Sequence, residues 1–337
     1  MKKIITAVFF CFIALTMFGQ QKKEPKYLYK IASEVPGGSL WHKTLMEVNR
    51  ELMAKTNGEV GLRVYAGGIM GNQDAIIDKM KIGQIQGATF SNTGMQTIYK
   101  DFGIVGFPLT LRNQEEYDYL VEKKGKFFED EFKKRGYKFL CWTETGPIYI
   151  YSKKQVNTIP TLQTSKPYIL PGDIISEVLL KELKTTPIPV QISDILTSLK
   201  TGQIDTVFSP PYALLAMQWA PSVSYATDFI ITFMVGSVMV DVKMFESMPK
   251  EYQDVMEKLF REKIDALKYN VRRDNAAAQE VLRKSGIKFI EVPQDQAKAF
   301  YEIGEKTSEY LIEKYGFSNE LYQEIKTLMT DYRKNKK

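Results

Sequence analysis

The sequence predicts an α/β fold in two lobes, with segments swapped between the lobes and strands that cross between them. Three observations lead to this prediction. Strand-like and helix-like segments alternate twice along the chain, which is typical of a parallel sheet with crossover helices. No low-complexity linker separates the two units, so we expect them to exchange segments. The 337 residues, of which 44% are hydrophobic, are enough for two hydrophobic cores.

The first unit begins with an apolar strand at 27–32, which ends at a Pro-Gly-Gly-Ser turn. Ser39 is a suitable N-cap for a helix whose apolar residues recur at helical spacing as far as residue 57. The remaining elements of this unit are a strand at 60–65, a helix at 72–85 and a strand at 87–92.

A charged helix at 113–135 and strands at 138–142 and 148–152 lead to a second unit with the same order of elements. Its elements are strands at 168–170, 188–191 and 205–208 and helices at 173–183 and 193–201. A strand-like run at 229–242 then precedes a long helix at 249–285, a strand at 287–292 and two closing helices.

These elements suggest domain boundaries. The predicted segments are a signal peptide at 1–20, lobe I at 21–145 plus about 230–265, lobe II at 146–229 plus about 266–310, and a C-terminal helix with a basic tail at 311–337. We expect the tail from Tyr332 onward to be mobile. We interpret Gly83, Gly87 and Gly202 as residues that only form turns.

The N-terminus predicts export to the periplasm. Lys2 and Lys3 precede an apolar run at 4–18, which ends at Gly19 before a polar segment. This order is typical of a secretory signal peptide, and the run is short for a membrane span. An uncleaved anchor and a lipoprotein are the alternatives, although Cys11 lies inside the apolar run rather than at its end.

Composition and charge exclude several classes of function. The chain has one His and two Cys, so a cysteine- or histidine-rich metal cluster and a disulfide framework are not expected. Removal of the signal peptide would lower the formal net charge from +6 to about +4, which is weak for a nucleic-acid-binding protein. A hydrolytic triad would have to use His42, and no motif indicates an enzyme or a cofactor.

Several glycine- and proline-containing segments, taken in order, resemble the DctP-type substrate-binding proteins (P subunits) of tripartite ATP-independent periplasmic (TRAP) transporters. They are Val-Tyr-Ala-Gly-Gly-Ile-Met-Gly at 64–71, Lys-Ile-Gly-Gln-Ile-Gln-Gly-Ala at 81–88, Thr-Thr-Pro-Ile-Pro-Val at 185–190, Leu-Lys-Thr-Gly-Gln-Ile-Asp-Thr at 199–206 and Asp-Val-Lys-Met-Phe-Glu-Ser-Met-Pro at 241–249. The resemblance covers roughly 26–310.

The resemblance implies a two-lobed periplasmic binding protein fold, in which the long helix at 249–285 spans both lobes, and an extracytoplasmic solute receptor. It further implies that the lobes close on one ligand and that the closed form is recognised by membrane permease subunits driven by an ion gradient. A subtype of this family works with a tetratricopeptide-repeat lipoprotein and is thought to accept hydrophobic ligands.

Three polar positions of the family's usual site are changed in this chain. The arginine that pairs with a ligand carboxylate falls on Ile169, and a second basic position falls on Ile148. The family's Glu-Asn pair falls on Phe208 and Ser209. No Arg occurs between Arg135 and Arg261, so a small shift of the alignment cannot restore the cation. Lysines at 153, 154 and 166 remain as substitutes.

We therefore predict a hydrophobic or uncharged ligand, because an ionised carboxylate buried without a partner is costly. The predicted ligand-binding residues are Pro36, Trp41, Ser91, Asn92, Phe107, Trp142, Ile148, Tyr149, Ile169, Phe208, Ser209, Tyr212 and Trp219. Two alternatives stay open. The receptor could bind an organic acid through lysines or backbone amides, or it could be a ligand-sensing module for a membrane receptor.

Overall fold

The computed structural model of the protein describes residues 24–336, so the predicted signal peptide lies outside the described residues. Its strands are β1 (Tyr27–Ala32), β2 (Val60–Tyr65), β3 (Gly87–Ser91), β4 (Tyr137–Ser152), β5 (Tyr168–Ile169), β6 (Ile188–Pro189), β7 (Thr206–Ser209), β8 (Tyr225–Asp241) and β9 (Lys288–Ile290). Its first helices are α1 (Leu40–Lys55), α2 (Gln73–Lys81), α3 (Asn92–Ile98), α4 (Gln114–Lys134), α5 (Ile159–Gln163) and α6 (Ile174–Glu182).

The later helices are α7 (Ile195–Thr201), α8 (Pro211–Ala216), α9 (Val242–Glu246), α10 (Lys250–Lys284), α11 (Gln294–Tyr315) and α12 (Asn319–Asn335). Short 3₁₀ turns lie at Lys100–Gly106, Ile192–Asp194 and Ala220–Ser222. Within residues 24–336, no helix combines the length and apolar character needed to cross a bilayer.

One seven-stranded sheet runs through the molecule in the order β2-β1-β3-β8-β4-β7, with β9 paired to β8. The strands β1, β2 and β3 are parallel, whereas β8 runs antiparallel to β3 and β4, and β4 runs antiparallel to β7. A separate parallel pair is formed by β5 and β6. We use lobe I for the part built on β1–β3 and lobe II for the part built on β5–β7.

The two long strands β4 and β8 connect the lobes. The sequence predicted two strands at 138–142 and 148–152, but the structure has one strand of 16 residues. Its pairing with β8 shifts register next to Glu144 and again next to Ile148. Gly146 has a φ of 122°, which is favourable for glycine, so the strand turns there without ending.

The helices form where the sequence predicted start signals and apolar stripes. Ser39 caps α1 by accepting a hydrogen bond from the backbone N–H of His42. The 35-residue helix α10, which the sequence predicted at 249–285, buries Met256, Leu259 and Phe260 on one face. Its apolar stripe packs with β1, β2, β4 and α1 into one hydrophobic cluster.

Two expectations were wrong. Gly87 does not form a turn: it lies inside β3, where a Cβ atom would approach Ile31 Cδ1 to 2.6 Å and Val240 Cγ1 to 2.7 Å. The basic tail is not free either, because α12 continues to Asn335. Arg333, near its end, forms hydrogen bonds with the buried carboxylate of Glu116 at 2.9 and 2.6 Å.

Candidate ligand-binding site

Residues from three strands of lobe II meet at one end of its sheet. Tyr149 of β4 pairs with Ser209 of β7, and Ile148 is the next residue along β4. A parallel bridge between Pro167 and Thr206 places β5 beside β7. Ile169, two residues after Pro167, therefore lies at the same carboxyl end as Ser209. In open α/β sheets, this end is where ligands bind.

Aromatic side chains surround this end. The Tyr168 hydroxyl donates to the Phe208 carbonyl at 3.2 Å, and the Tyr168 ring lies 6.4 Å from Phe208 and 6.3 Å from Trp219. Burial raises the pKa of Tyr168 and of Tyr149, so both phenols are neutral hydrogen-bonding groups. Sequence reasoning missed Tyr168, although it directly precedes Ile169.

The lobe I side of the site is marked by Asn92, which follows β3. Its side chain lies against Gly106, where a Cβ atom would be 2.5 Å from Asn92 Nδ2. The Thr232 hydroxyl donates to the Gly106 carbonyl at 3.1 Å, and Thr232 pairs with Ile148 across the crossing strands. Asn92 and Ile148 therefore flank the same short stretch of β8.

The polar atoms of this site differ in availability. Ser91 accepts a hydrogen bond from Gly94 N–H as the N-cap of α3, and Ser209 donates to the Pro210 carbonyl at 2.9 Å. By contrast, Asn92 Oδ1 is buried and accepts no hydrogen bond from any residue in 24–336. It is an unsatisfied acceptor, and because it is buried, a ligand donor would reach it only after the amide turns toward the site.

Other predicted wall residues lie in the interior of lobe I. Phe107 is 1% exposed and packs on Phe317, with ring centroids 5.1 Å apart. Trp142 packs on Phe102 and Phe139 at 5.7 and 5.1 Å. Both belong to a hydrophobic cluster separate from the one that holds Tyr149 and Trp219.

The remaining predicted residues lie at the surface or against a third hydrophobic cluster. Trp41 is partly buried against the cluster beneath α1 and α10, and Pro36 is exposed. Tyr212, the second residue of α8, is 54% exposed. The structure thus brings together Ile148, Tyr149, Ile169, Phe208, Ser209 and Trp219, with Tyr212 and Asn92 beside them.

The three candidate lysines lie at the opposite end of the lobe II strands. The side chains of Lys153 and Lys166 donate to the carbonyls of Leu199 and Gly202. Lys154 Nζ lies 3.8 Å from the Asp205 carboxylate, just before β7. Because a strand rises about 3.3 Å per residue, these ammonium groups lie roughly 10 Å or more from Ser209 along the sheet.

The half-buried Arg272, at the strand crossing, is also engaged by other partners. Arg272 of α10 binds Glu144 of β4 at 2.5 and 2.8 Å and Asp118 of α4 at 2.9 and 2.6 Å. The hydrogen bond to Glu144 raises the pKa of Arg272. Among residues 24–336, no three His, Cys, Asp or Glu side chains form a group that could hold a metal ion.

Comparison with known proteins identifies the family. The DctP family, described as bacterial extracellular solute-binding protein family 7, matches residues 31–314. The C4-dicarboxylate-binding periplasmic protein DctP of Rhodobacter capsulatus is 20% identical over 299 residues, which cover 86% of this chain and 87% of that protein. The uncharacterized protein YiiZ of Salmonella typhimurium is 21% identical over 291 residues, covering 83% and 85%.

Solved structures show the same fold. A TRAP periplasmic solute-binding protein of Ochrobactrum anthropi, with its C-terminus bound in the ligand-binding pocket, gives a TM-score of 0.83 at 16% identity, covering 94% of this chain and 98% of that one. One of Pseudomonas putida F1 with bound D-glucuronate gives 0.75 at 22% identity, covering 88% and 96%. The chain therefore belongs to the DctP family of bacterial extracellular solute-binding proteins and has the two-lobed fold of the TRAP periplasmic solute-binding proteins.

Proposed function

We propose that this receptor closes its two lobes on a hydrophobic or uncharged ligand and delivers it to the permease subunits of a TRAP transporter. The observation that supports the ligand class best is the surroundings of Ile169. An apolar side chain, 7% exposed, stands where the family resemblance puts the carboxylate-binding arginine. The lysines that could replace that arginine are bound at the opposite end of the sheet.

The energetics favour an uncharged ligand at such a site. Loss of one partner of a buried hydrogen-bonded ion pair costs about 2–5 kcal/mol. An apolar group avoids this cost and gains roughly 25 cal/mol for each Å² of apolar surface removed from water. For 100 Å² of apolar contact, that gain is about 2.5 kcal/mol.

The backbone near Ile169 is also poorly suited to an anion. The next helix N-terminus along the chain is that of α6, and the side chain of Asp173 already accepts a hydrogen bond from Ser176 N–H there. Glu177 adds a second acidic group to the same turn. These carboxylates oppose a negative ligand at the helix end that would otherwise attract one.

One polar contact is expected within this mostly apolar site. Asn92 Oδ1 has no donor in the described chain, so a ligand hydroxyl or amide N–H would satisfy it on binding. We therefore propose a ligand with an apolar body and one neutral hydrogen-bond donor, a common pattern in small-molecule pockets.

The rival proposal is an organic acid held by main-chain amides, because TRAP-type neighbours have bound D-glucuronate and orotic acid. Isothermal titration with matched pairs, D-glucuronate against D-glucose and decanoate against 1-decanol, separates the two proposals. In whichever pair shows binding, we expect the uncharged compound, D-glucose or 1-decanol, to bind more tightly than the corresponding carboxylate. Tighter binding of either carboxylate would refute the proposed ligand class.

A substitution tests the same point within the protein. Ile169→Arg restores the family cation and should shift preference within a pair toward the carboxylate by 10-fold or more, the factor for about 1.4 kcal/mol. Ile192→Arg is the matched control, because Ile192 is 53% exposed on lobe II and lies outside the assembled site. An equal shift in both variants would indicate a non-specific charge effect and contradict the proposal.

The proposal also covers how the protein is exported and which further protein it binds. We propose that residues 1–20 are cleaved during export, which the mass of the protein recovered from a periplasmic extract would show. A tetratricopeptide-repeat lipoprotein is the further partner proposed from the family subtype, and co-purification of such a protein with the tagged receptor tests it.

A further inference from the structure

The N-terminus of α8 is capped by a residue from another element. This short helix follows Phe208 and Ser209 directly, and its N-cap residue is Pro210, which makes no side-chain cap. The first N–H groups of a helix have no partner within the helix. The Tyr212 N–H finds one in the side chain of Asn275, whose Oδ1 accepts it at 3.1 Å.

Asn275 also contacts the strand that crosses between the lobes. It lies on α10, is 5% exposed, and donates through Nδ2 to the Thr145 carbonyl at 2.9 Å and to the Val271 carbonyl at 3.0 Å. Both amide hydrogens and the amide oxygen are therefore engaged. One side chain joins α10, β4 and α8.

The strand is shaped to accept this side chain. Thr145 and Gly146 lie where the pairing of β4 with β8 shifts register. A Cβ atom on Gly146 would come within 2.6 Å of Asn275 Nδ2, and the φ of 122° at Gly146 is unfavourable for other residues. A side chain at position 146 would therefore displace the amide of Asn275.

We infer that Asn275 is a positioning residue for the ligand site, because it caps α8 from the lobe-spanning helix and holds it against the crossing strand. This inference rests on the proposed site, since α8 carries Tyr212 and begins immediately after Phe208 and Ser209. A movement of α10 relative to β4 during lobe closure would be transmitted to α8 through this side chain.

Amide hydrogen exchange tests the inference. The protein used is first shown by native mass spectrometry to carry no bound ligand. Pro210 and Pro211 have no amide hydrogen, so a peptide covering 209–218 reports the amides from Tyr212 to Gln218, which include all those of α8. Asn275→Leu should accelerate exchange in this peptide by roughly 2- to 13-fold, the factor for one net hydrogen bond. Asn275→Asp keeps an acceptor for Tyr212 but loses the donor to Thr145 and Val271, so it should protect α8 more than Asn275→Leu and less than the unchanged protein.

Thr307→Val is the matched control, since among residues 24–336 this buried hydroxyl bonds only within α11, to the Ile303 carbonyl at 2.8 Å. Should Asn275→Leu fail to fold, Asn275→Ser tests the same contact because its hydroxyl is too short to reach all three partners. Unchanged exchange at 209–218, equal acceleration in the control, or no more protection in Asn275→Asp than in Asn275→Leu would overturn the inference. Because no ligand is used, these outcomes do not depend on the proposed ligand class.

Discussion

The ion pair between Arg333 and Glu116 should be one of the most important single contacts for the C-terminal helix. The Glu116 side chain is 3% exposed and the Arg333 side chain 25% exposed. Arg333 binds both carboxylate oxygens, at 2.9 and 2.6 Å, and also donates to the Thr110 carbonyl at 2.8 Å. Arg333→Ala would leave a buried carboxylate with the Arg112 N–H as its remaining partner outside its own helix.

Breaking a buried pair by removing one partner costs about 3–5 kcal/mol. Because Arg333 is partly exposed, we expect the low end, about 3 kcal/mol in the free energy of unfolding. Equilibrium unfolding in guanidinium chloride, monitored by tryptophan fluorescence and circular dichroism, measures it. The control is Arg273→Ala, because Arg273 is 61% exposed beside Asp274 and should cost less than about 1 kcal/mol.

The reasoning would be refuted if Arg333→Ala cost no more than the control. A double-mutant cycle with Glu116→Gln should further show a coupling energy of at least about 1 kcal/mol, whereas independent residues would add within about 0.5 kcal/mol. Such additivity would mean that the C-terminal residues behave as the free tail that the sequence suggested.

Two further predictions concern ionisable groups in lobe I. Burial raises the pKa of the Cys141 thiol to about 12, so in protein without residues 1–20 it should react with a maleimide at pH 7 only as the chain unfolds, and rapid native labelling would contradict this. Burial also raises the pKa of Glu129. The charged form of this carboxyl is therefore less favourable in the folded than in the unfolded state, and the folded state loses stability as the pH rises and Glu129 ionises. Glu129→Gln should therefore stabilise the protein at pH 7 but not below pH 4. Glu131→Gln should destabilise it at pH 7, because Lys134 and Arg135 lower the pKa of Glu131. Denaturation curves measure both variants. If Glu129→Gln and Glu131→Gln changed the free energy of unfolding in the same direction at pH 7, the opposite roles assigned to the two carboxylates would be refuted.

The sequence predicted most of the fold because its local signals agree with the tertiary contacts. Ser39 before an apolar stripe and the long amphipathic stretch after Pro249 correctly predicted α1 and α10. The Gly146-Pro147 pair looked like the end of a strand, yet β4 passes through it because β8 continues alongside and Asn275 holds the bend. The domain boundaries stay predictions.

The site was predictable where it depends on strand ends and unpredictable where it depends on packing. Ile148, Ile169 and Phe208 come together because β4, β5 and β7 lie side by side. Phe107 and Trp142 carry the same apolar signal as wall residues, but they fill the core of lobe I. Nothing in the sequence marks a polar residue on an amphipathic helix as buried, so Asn275 could not be found.

Native mass spectrometry of the receptor purified from the periplasm without refolding, followed by solvent extraction of its adduct, tests the central claim most directly. The account predicts an adduct that partitions into organic solvent, lacks a carboxylate and carries a hydroxyl or amide that could donate to Asn92. A co-purified small organic acid would contradict it, because the described residues around Ile169 offer that acid no cationic partner.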